Sequence, residues 1–349
     1  MLLRRNFLGL LAAPGIAASG DINEYDPRNT KLSHRMPIRS MTGDDLLFLQ
    51  QLGIKWARIE FGEAASFEYM KATQERLKRF DMRIYSAVHY AYRRTRVQLG
   101  QPGRDQDIDE FNRFIADCGK LQIPVANIDW HPANTYTTAE VLTARGYRAR
   151  QFKLDDFRQK IEKQAFDRIY SAEDIWSTYT YFIQAVLPAA EKANVKLALH
   201  PDDPPLAMMN GVAKLFVHYD GYRRAEQIAG RSPHWGLTFC IGTWSEGGGK
   251  MGKNVFEMIR DFGGRGKIFD VHFRNVSRPL PEFIETFPDD GYQDMSAVMK
   301  ALRQVKFSGT AQPDHIPLFA GDDKFRRAGV AYAIANMRTM LRQANREVG

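Results

Sequence analysis

The chain has 349 residues, 44% hydrophobic and 26% charged, globular proportions that exclude a disordered chain or a collagen-like fibre and fit one large barrel or two ordinary domains. Two cysteines, Cys118 and Cys240, exclude a disulfide scaffold. The formal charge of +8 comes from small basic groups such as Arg93, Arg94 and Arg96, not from a long basic stripe, which argues against nucleic-acid binding and suits an anionic small substrate.

The N-terminus carries Arg4 and Arg5, then Asn6, Phe7 and Leu8, an apolar stretch to Ala18 and the small residues Ser19 and Gly20. This is the layout of an export signal, and the arginine pair resembles a twin-arginine signal. Interrupted by Pro14, the apolar stretch falls short of the ~20 residues that span a bilayer as a helix. No permanent membrane anchor is expected. Residues 1–20 therefore read as a signal segment, which places the protein in the periplasm or outside the cell, or in the cytoplasm where the signal is not used.

From Asn29 onward, β-branched or aromatic runs alternate with stretches of helical period. The strand-like runs cover 31–36, 54–61, 82–88, 123–130, 195–200, 235–241, 268–276 and 309–315. Helical stretches between them include 43–52, 66–79, 107–121, 172–193, 254–262, 294–305 and 324–343. Strand then helix, repeated eight times, predicts a single-domain (β/α)8 TIM barrel over 29–345. The charged stretch 133–171 reads as an elaborated loop over the barrel mouth.

Reactive groups of such a barrel sit at the carboxyl ends of its strands. Four successive runs end in His200, Cys240, His272 and the pair Asp314 and His315. Taken singly, each has an ordinary structural reading: a buried cysteine is a small core hydrophobe, a histidine pairs locally, and an aspartate caps the next helix. Their spacings of 40, 32 and 42 residues are each about one βα unit, so the four stand side by side on one rim. Two imidazoles, a thiolate and a carboxylate suit a divalent first-row ion such as Mn²⁺, Fe²⁺, Co²⁺ or Zn²⁺.

The motifs HPDDPP at 200–205, CIGT at 240–243, HFRNV at 272–276 and PDH at 313–315 resemble, in this order, those of the mannonate dehydratase family, which shares a xylose-isomerase-like TIM barrel. The likeness extends to the helical run 294–302 and to the loop 99–105. It implies a metal-dependent lyase that removes water from D-mannonate to give 2-keto-3-deoxy-D-gluconate. The implied ligands are His200, Cys240, His272 and Asp314, with Mn²⁺ or Fe²⁺ the foremost ions, and the implied acid/base residue is His315. Arg274, two residues beyond a ligand and so on the same face of an extended strand, is expected to meet the substrate carboxylate. The family's tyrosine just beyond the Asp-His pair has no counterpart: Phe325 stands near that position, and a phenyl ring donates no proton. His89, at the end of the third strand, is expected to bind substrate; either His89, Tyr90 or Tyr92 replaces the tyrosine, or the reaction differs.

Two other readings remain open from the residues: a sugar isomerase or epimerase on the same barrel, and a secreted sugar- or metal-binding protein without turnover. The expected partner is a small sugar acid, and a homo-oligomer is compatible with the sequence. Glu60 and Glu63 read as rim carboxylates, Trp130 as a platform for a sugar face, and Cys118 as core.

Overall fold

The computed structural model describes residues 23–349; the signal segment, with Arg4 and Arg5, lies outside the described residues. Eight parallel strands close into a barrel: β1 (Lys31–Met36), β2 (Trp56–Gly62), β3 (Arg83–His89), β4 (Val125–Asp129), β5 (Lys196–His200), β6 (Trp235–Cys240), β7 (Ile268–His272) and β8 (Thr310–Gln312). Each pairs with its sequence neighbours, and β8 closes onto β1 with Lys31 opposite Thr310. This is the predicted (β/α)8 barrel.

Along each strand, alternate residues face the helices. On β2, Ala57, Ile59 and Phe61 join the main core while Arg58 and Glu60 face the barrel interior, as the two-residue period of an extended chain dictates. The longest connecting helices, Ala172–Ala193 and Arg327–Val348, wrap the outside. The first starts in a capping box between Ser171 and Asp174 and buries Ile175, Tyr179, Phe182, Val186 and Ala190 on one stripe, the three-to-four-residue spacing of an amphipathic helix. Among the described residues no helix is long and apolar enough to cross a membrane.

The stretch 133–171 differs from the expected loop. It folds into a hairpin of Ala139–Leu142 and Arg148–Lys153, whose second strand pairs antiparallel with Glu282–Thr286. Asn275–Val276 completes a four-stranded sheet. Phe152, Phe157, Met209, Val276 and Phe283 form its own small core. The run predicted over 268–276 is thus two strands, one in the barrel and one in this sheet, and the run over 309–315 is regular only at Thr310–Gln312.

Candidate active site

Strand register places the site. Asp129 on β4 lies opposite His200 on β5, and Cys240 on β6 lies opposite His272 on β7, itself opposite Gln312 on β8. The last residues of these five successive strands thus gather at the carboxyl rim. Asp314 and His315 follow β8 directly, and His315 has a positive φ of 46°, a backbone conformation sparsely used outside glycine and concentrated at functional sites.

Donor atoms of His200, Cys240 and His272 lie within 4.8 Å of one another. His200 Nε2 and His272 Nδ1 are 3.1 Å apart. His200 Nδ1 donates to the Pro201 carbonyl at 2.7 Å; because a carbonyl only accepts, Nδ1 holds the proton and Nε2 offers its lone pair inward. Asp314 Oδ2 stands 3.5 Å from His272 Nδ1. The Cys240 sulfur accepts from the Thr243 hydroxyl at 3.2 Å and lies 3.5 Å from Arg274 Nη2. Burial alone would raise the Cys240 thiol, but Arg274, His200 and His272 outweigh it and hold it well below its ordinary value, favouring the ligating thiolate. Burial likewise opposes charge on His272, yet Asp314 and Cys240 raise it to about 9. A half-buried and a buried imidazole facing a thiolate and a carboxylate form a nitrogen, sulfur and oxygen set that fits a divalent cation.

His315 is positioned differently. Its Nδ1 meets Glu285 Oε1 at 2.7 Å and its Nε2 lies 3.6 Å from Asp314. Burial disfavours its charged form, but Asp314 and Glu285 prevail and raise its pKa. Glu285 comes from the small sheet and belongs to none of the motifs in the sequence. This carboxylate could not have been found by reading strand ends.

Arg274 lines neither of the cavities at the barrel mouth. Its side chain is 0% exposed, and it donates to Glu246 at 2.5 Å, Asp203 at 2.8 Å, Thr243 at 3.0 Å and Glu285 at 3.1 Å. The expected carboxylate clamp is instead a buried hub beneath the site, because three acidic side chains surround it. Gly242 makes room for that hub: a Cβ there would lie 2.5 Å from Arg274 Nε.

His89 is also displaced from its expected role. It is 3% exposed, accepts from the Ala91 backbone N–H through Nδ1, approaches Glu110 at 3.3 Å and stacks on Phe114 at 5.3 Å. Tyr92 is buried and donates to Asp129 at 2.8 Å. Trp130, expected as a sugar platform, is 0% exposed and packs on Tyr179 and Phe182. These rings fill the space between barrel and helices, the ordinary place for aromatic side chains.

A cavity of about 260 Å³ opens over His200, His272, Asp314 and His315, and its opposite wall carries Arg35, Arg58 and Arg93. A second cavity of about 330 Å³ adjoins it through Arg35, Glu60, Asp314 and His315, and contains Phe325. No tyrosine lines either one.

The D-mannonate dehydratase (UxuA) family profile matches residues 140–344. Mannonate dehydratase 2 of Halalkalibacterium halodurans is 29% identical over 254 residues, covering 65% of this chain and 72% of the relative. The mannonate dehydratase of Streptococcus equi subsp. zooepidemicus is 28% identical over 252 residues, covering 65% and 68%. In fold, the chain is similar to the crystal structure of mannonate dehydratase from Streptococcus suis serotype 2, with a TM-score of 0.82 at 24% identity over 92% of this chain and 96% of that one. It is less similar to 3-keto-D-glucoside 4-epimerase from E. coli, at 0.60 and 12% identity over 89% and 100%.

Proposed function

The chain belongs to the D-mannonate dehydratase family, and from that premise we propose that it dehydrates a sugar acid of the D-mannonate type, with His200, Cys240, His272 and Asp314 holding a divalent ion and His315 moving the proton. The observation that carries this reading is the meeting of two imidazoles and a thiolate within 4.8 Å beside a carboxylate and a separately held histidine. The mixed donor set suits Mn²⁺ or Fe²⁺. A bound ion would act as a Lewis acid toward the negative charge that builds when the carbon beside a carboxylate loses its proton.

Dehydration breaks the C2–H and C3–O bonds, forms a C2–C3 double bond and releases water; the enol then takes a proton at C3 to give the 2-keto-3-deoxy acid. His315 is placed for such transfers. Its Nδ1 donates to Glu285 at 2.7 Å, which fixes the ring and leaves Nε2 to take a proton from C2 or deliver one to the departing hydroxyl. Arg274 acts from below, holding Glu285 at 3.1 Å and Cys240 at 3.5 Å. Arg4 and Arg5 support export through a twin-arginine route.

Phe325 in place of a proton-donating tyrosine favours a second reading, a sugar isomerase or epimerase. The test is the product formed by metal-loaded protein from D-mannonate. A 2-keto-3-deoxy acid, one water lighter than substrate, is expected. A product of unchanged composition would replace the dehydratase with an isomerase, and tight binding without product would leave only a binding protein.

A further inference from the structure

The wall of the reaction cavity opposite His200 and His272 holds a charge that the proposed chemistry does not use. Arg58 projects from β2, which lies four strands around the barrel from β6. It therefore faces the arc of Cys240 and His272 from across the barrel. Only 6% of Arg58 is exposed, yet its Nε and Nη1 make no hydrogen bond. The near carboxylate, Glu60, is 3.6 Å from Nη1 and is already engaged by Arg35 at 2.8 Å. Arg93, the third guanidinium on this wall, is committed to Asp129, with Nε to Oδ2 at 2.9 Å.

Arg35 and Arg58 thus share Glu60, and Arg58, the most buried guanidinium of the three, is the one whose Nε and Nη1 are left without a hydrogen bond. Buried N–H groups without a hydrogen bond are costly, and native interiors leave few of them unsatisfied. The planar fork of Arg58 matches the two oxygens of a carboxylate or phosphate. A single sugar hydroxyl would accept one of these bonds and leave the other N–H without an acceptor.

We propose that the substrate carries a second oxyanion at the end remote from its reacting carboxylate, and that Arg58, with Arg35 beside it, receives that group. The inference rests on the dehydratase reading, which places the reacting carboxylate and C2 beside His272, Asp314 and His315. The far end of the same molecule then extends across the barrel toward β2. A terminal carboxylate, as in an aldarate, and a phosphate ester, as in an aldonate 6-phosphate, present the same chemistry to Arg58. D-mannonate is the analogue that lacks it.

The experiment measures kcat/KM of the metal-loaded full chain for D-mannonate, D-mannarate and D-mannonate 6-phosphate, and repeats it with Arg58→Met and Arg58→Lys. At least one dianion should exceed D-mannonate by about tenfold or more, because a site built to pair a polar group rejects a ligand lacking it. The preferred dianion identifies the oxyanion. Arg58→Met should bring the ratio near unity, and Arg58→Lys should keep part of it. The proposal is overturned if D-mannonate matches or exceeds both dianions, or if Arg58→Met keeps the preference. Dehydration of D-mannonate alone overturns only this inference; no dehydration of any of the three overturns the dehydratase reading with it. The wild-type comparison decides even if Arg58→Met fails to fold.

Discussion

Cys240 and His272 are register partners on adjacent parallel strands, so the sulfur and the imidazole reach the same level of the barrel by backbone pairing alone. His200 and Asp129 are paired in the same way. The donor atoms of His200, Cys240 and His272 are therefore held by the strand pairing that holds the fold, while Asp314 and His315 sit on the chain just beyond β8.

His315 lies beside this set and is held by Glu285. His315→Ala should leave metal content unchanged and lower turnover by roughly 10²- to 10⁴-fold, the usual contribution of a positioned acid or base. Metal analysis alongside steady-state rates checks this. An active variant would remove His315 from the mechanism.

Arg274 has no exposed surface and is the shared cationic partner of Asp203, Glu246 and Glu285. Arg274→Met leaves buried carboxyls without their counter-charge and should destabilise the fold by about 3–5 kcal/mol. Thermal or denaturant unfolding reads the loss. A variant of unchanged stability with only a raised KM would restore Arg274 to the substrate.

His34 gives a pH dependence. Burial first, and the neighbouring Arg35 second, lower its pKa from 6.5 to about 4. Between these values the unfolded chain binds more protons than the folded one, so stability rises with pH across that window and is lost as pH falls through it. Because the side chain is partly accessible, its share is roughly 1–3 kcal/mol. His34→Gln should flatten this part of the stability profile relative to the parent; parallel profiles would refute the assignment.

The proposed export rests on Arg4 and Arg5. Residues 1–30 fused to a folded reporter should carry it across the membrane, and replacement of both arginines by lysine should stop it. Transport indifferent to that change would indicate another route.

The barrel was legible because each strand and helix is short-range and periodic: the eight runs fall on the eight strands with ends shifted by a few residues. The proposed ligands His200, Cys240 and His272 were legible because they end those strands, and Asp314 because it follows the last of them. Glu285 was not, since it reaches His315 through a sheet that joins Arg148–Lys153 to Glu282–Thr286, segments over a hundred residues apart. Pairing of that kind leaves no local period. The reading of Arg274 failed for a related reason. Alternation put it on the ligands' face, but β7 ends at His272, and the chain beyond turns the guanidinium down onto Asp203 and Glu246. His89 ends β3 as expected, yet its ring turns to cap the following turn and to stack on Phe114.

The central claim is that neighbouring strand ends bind one cation. Metal content per chain of the parent protein, Cys240→Ala and His272→Ala, measured after identical loading and desalting, tests it most directly. One ion per parent chain and little in either variant is the predicted result; full stoichiometry in both variants would contradict it.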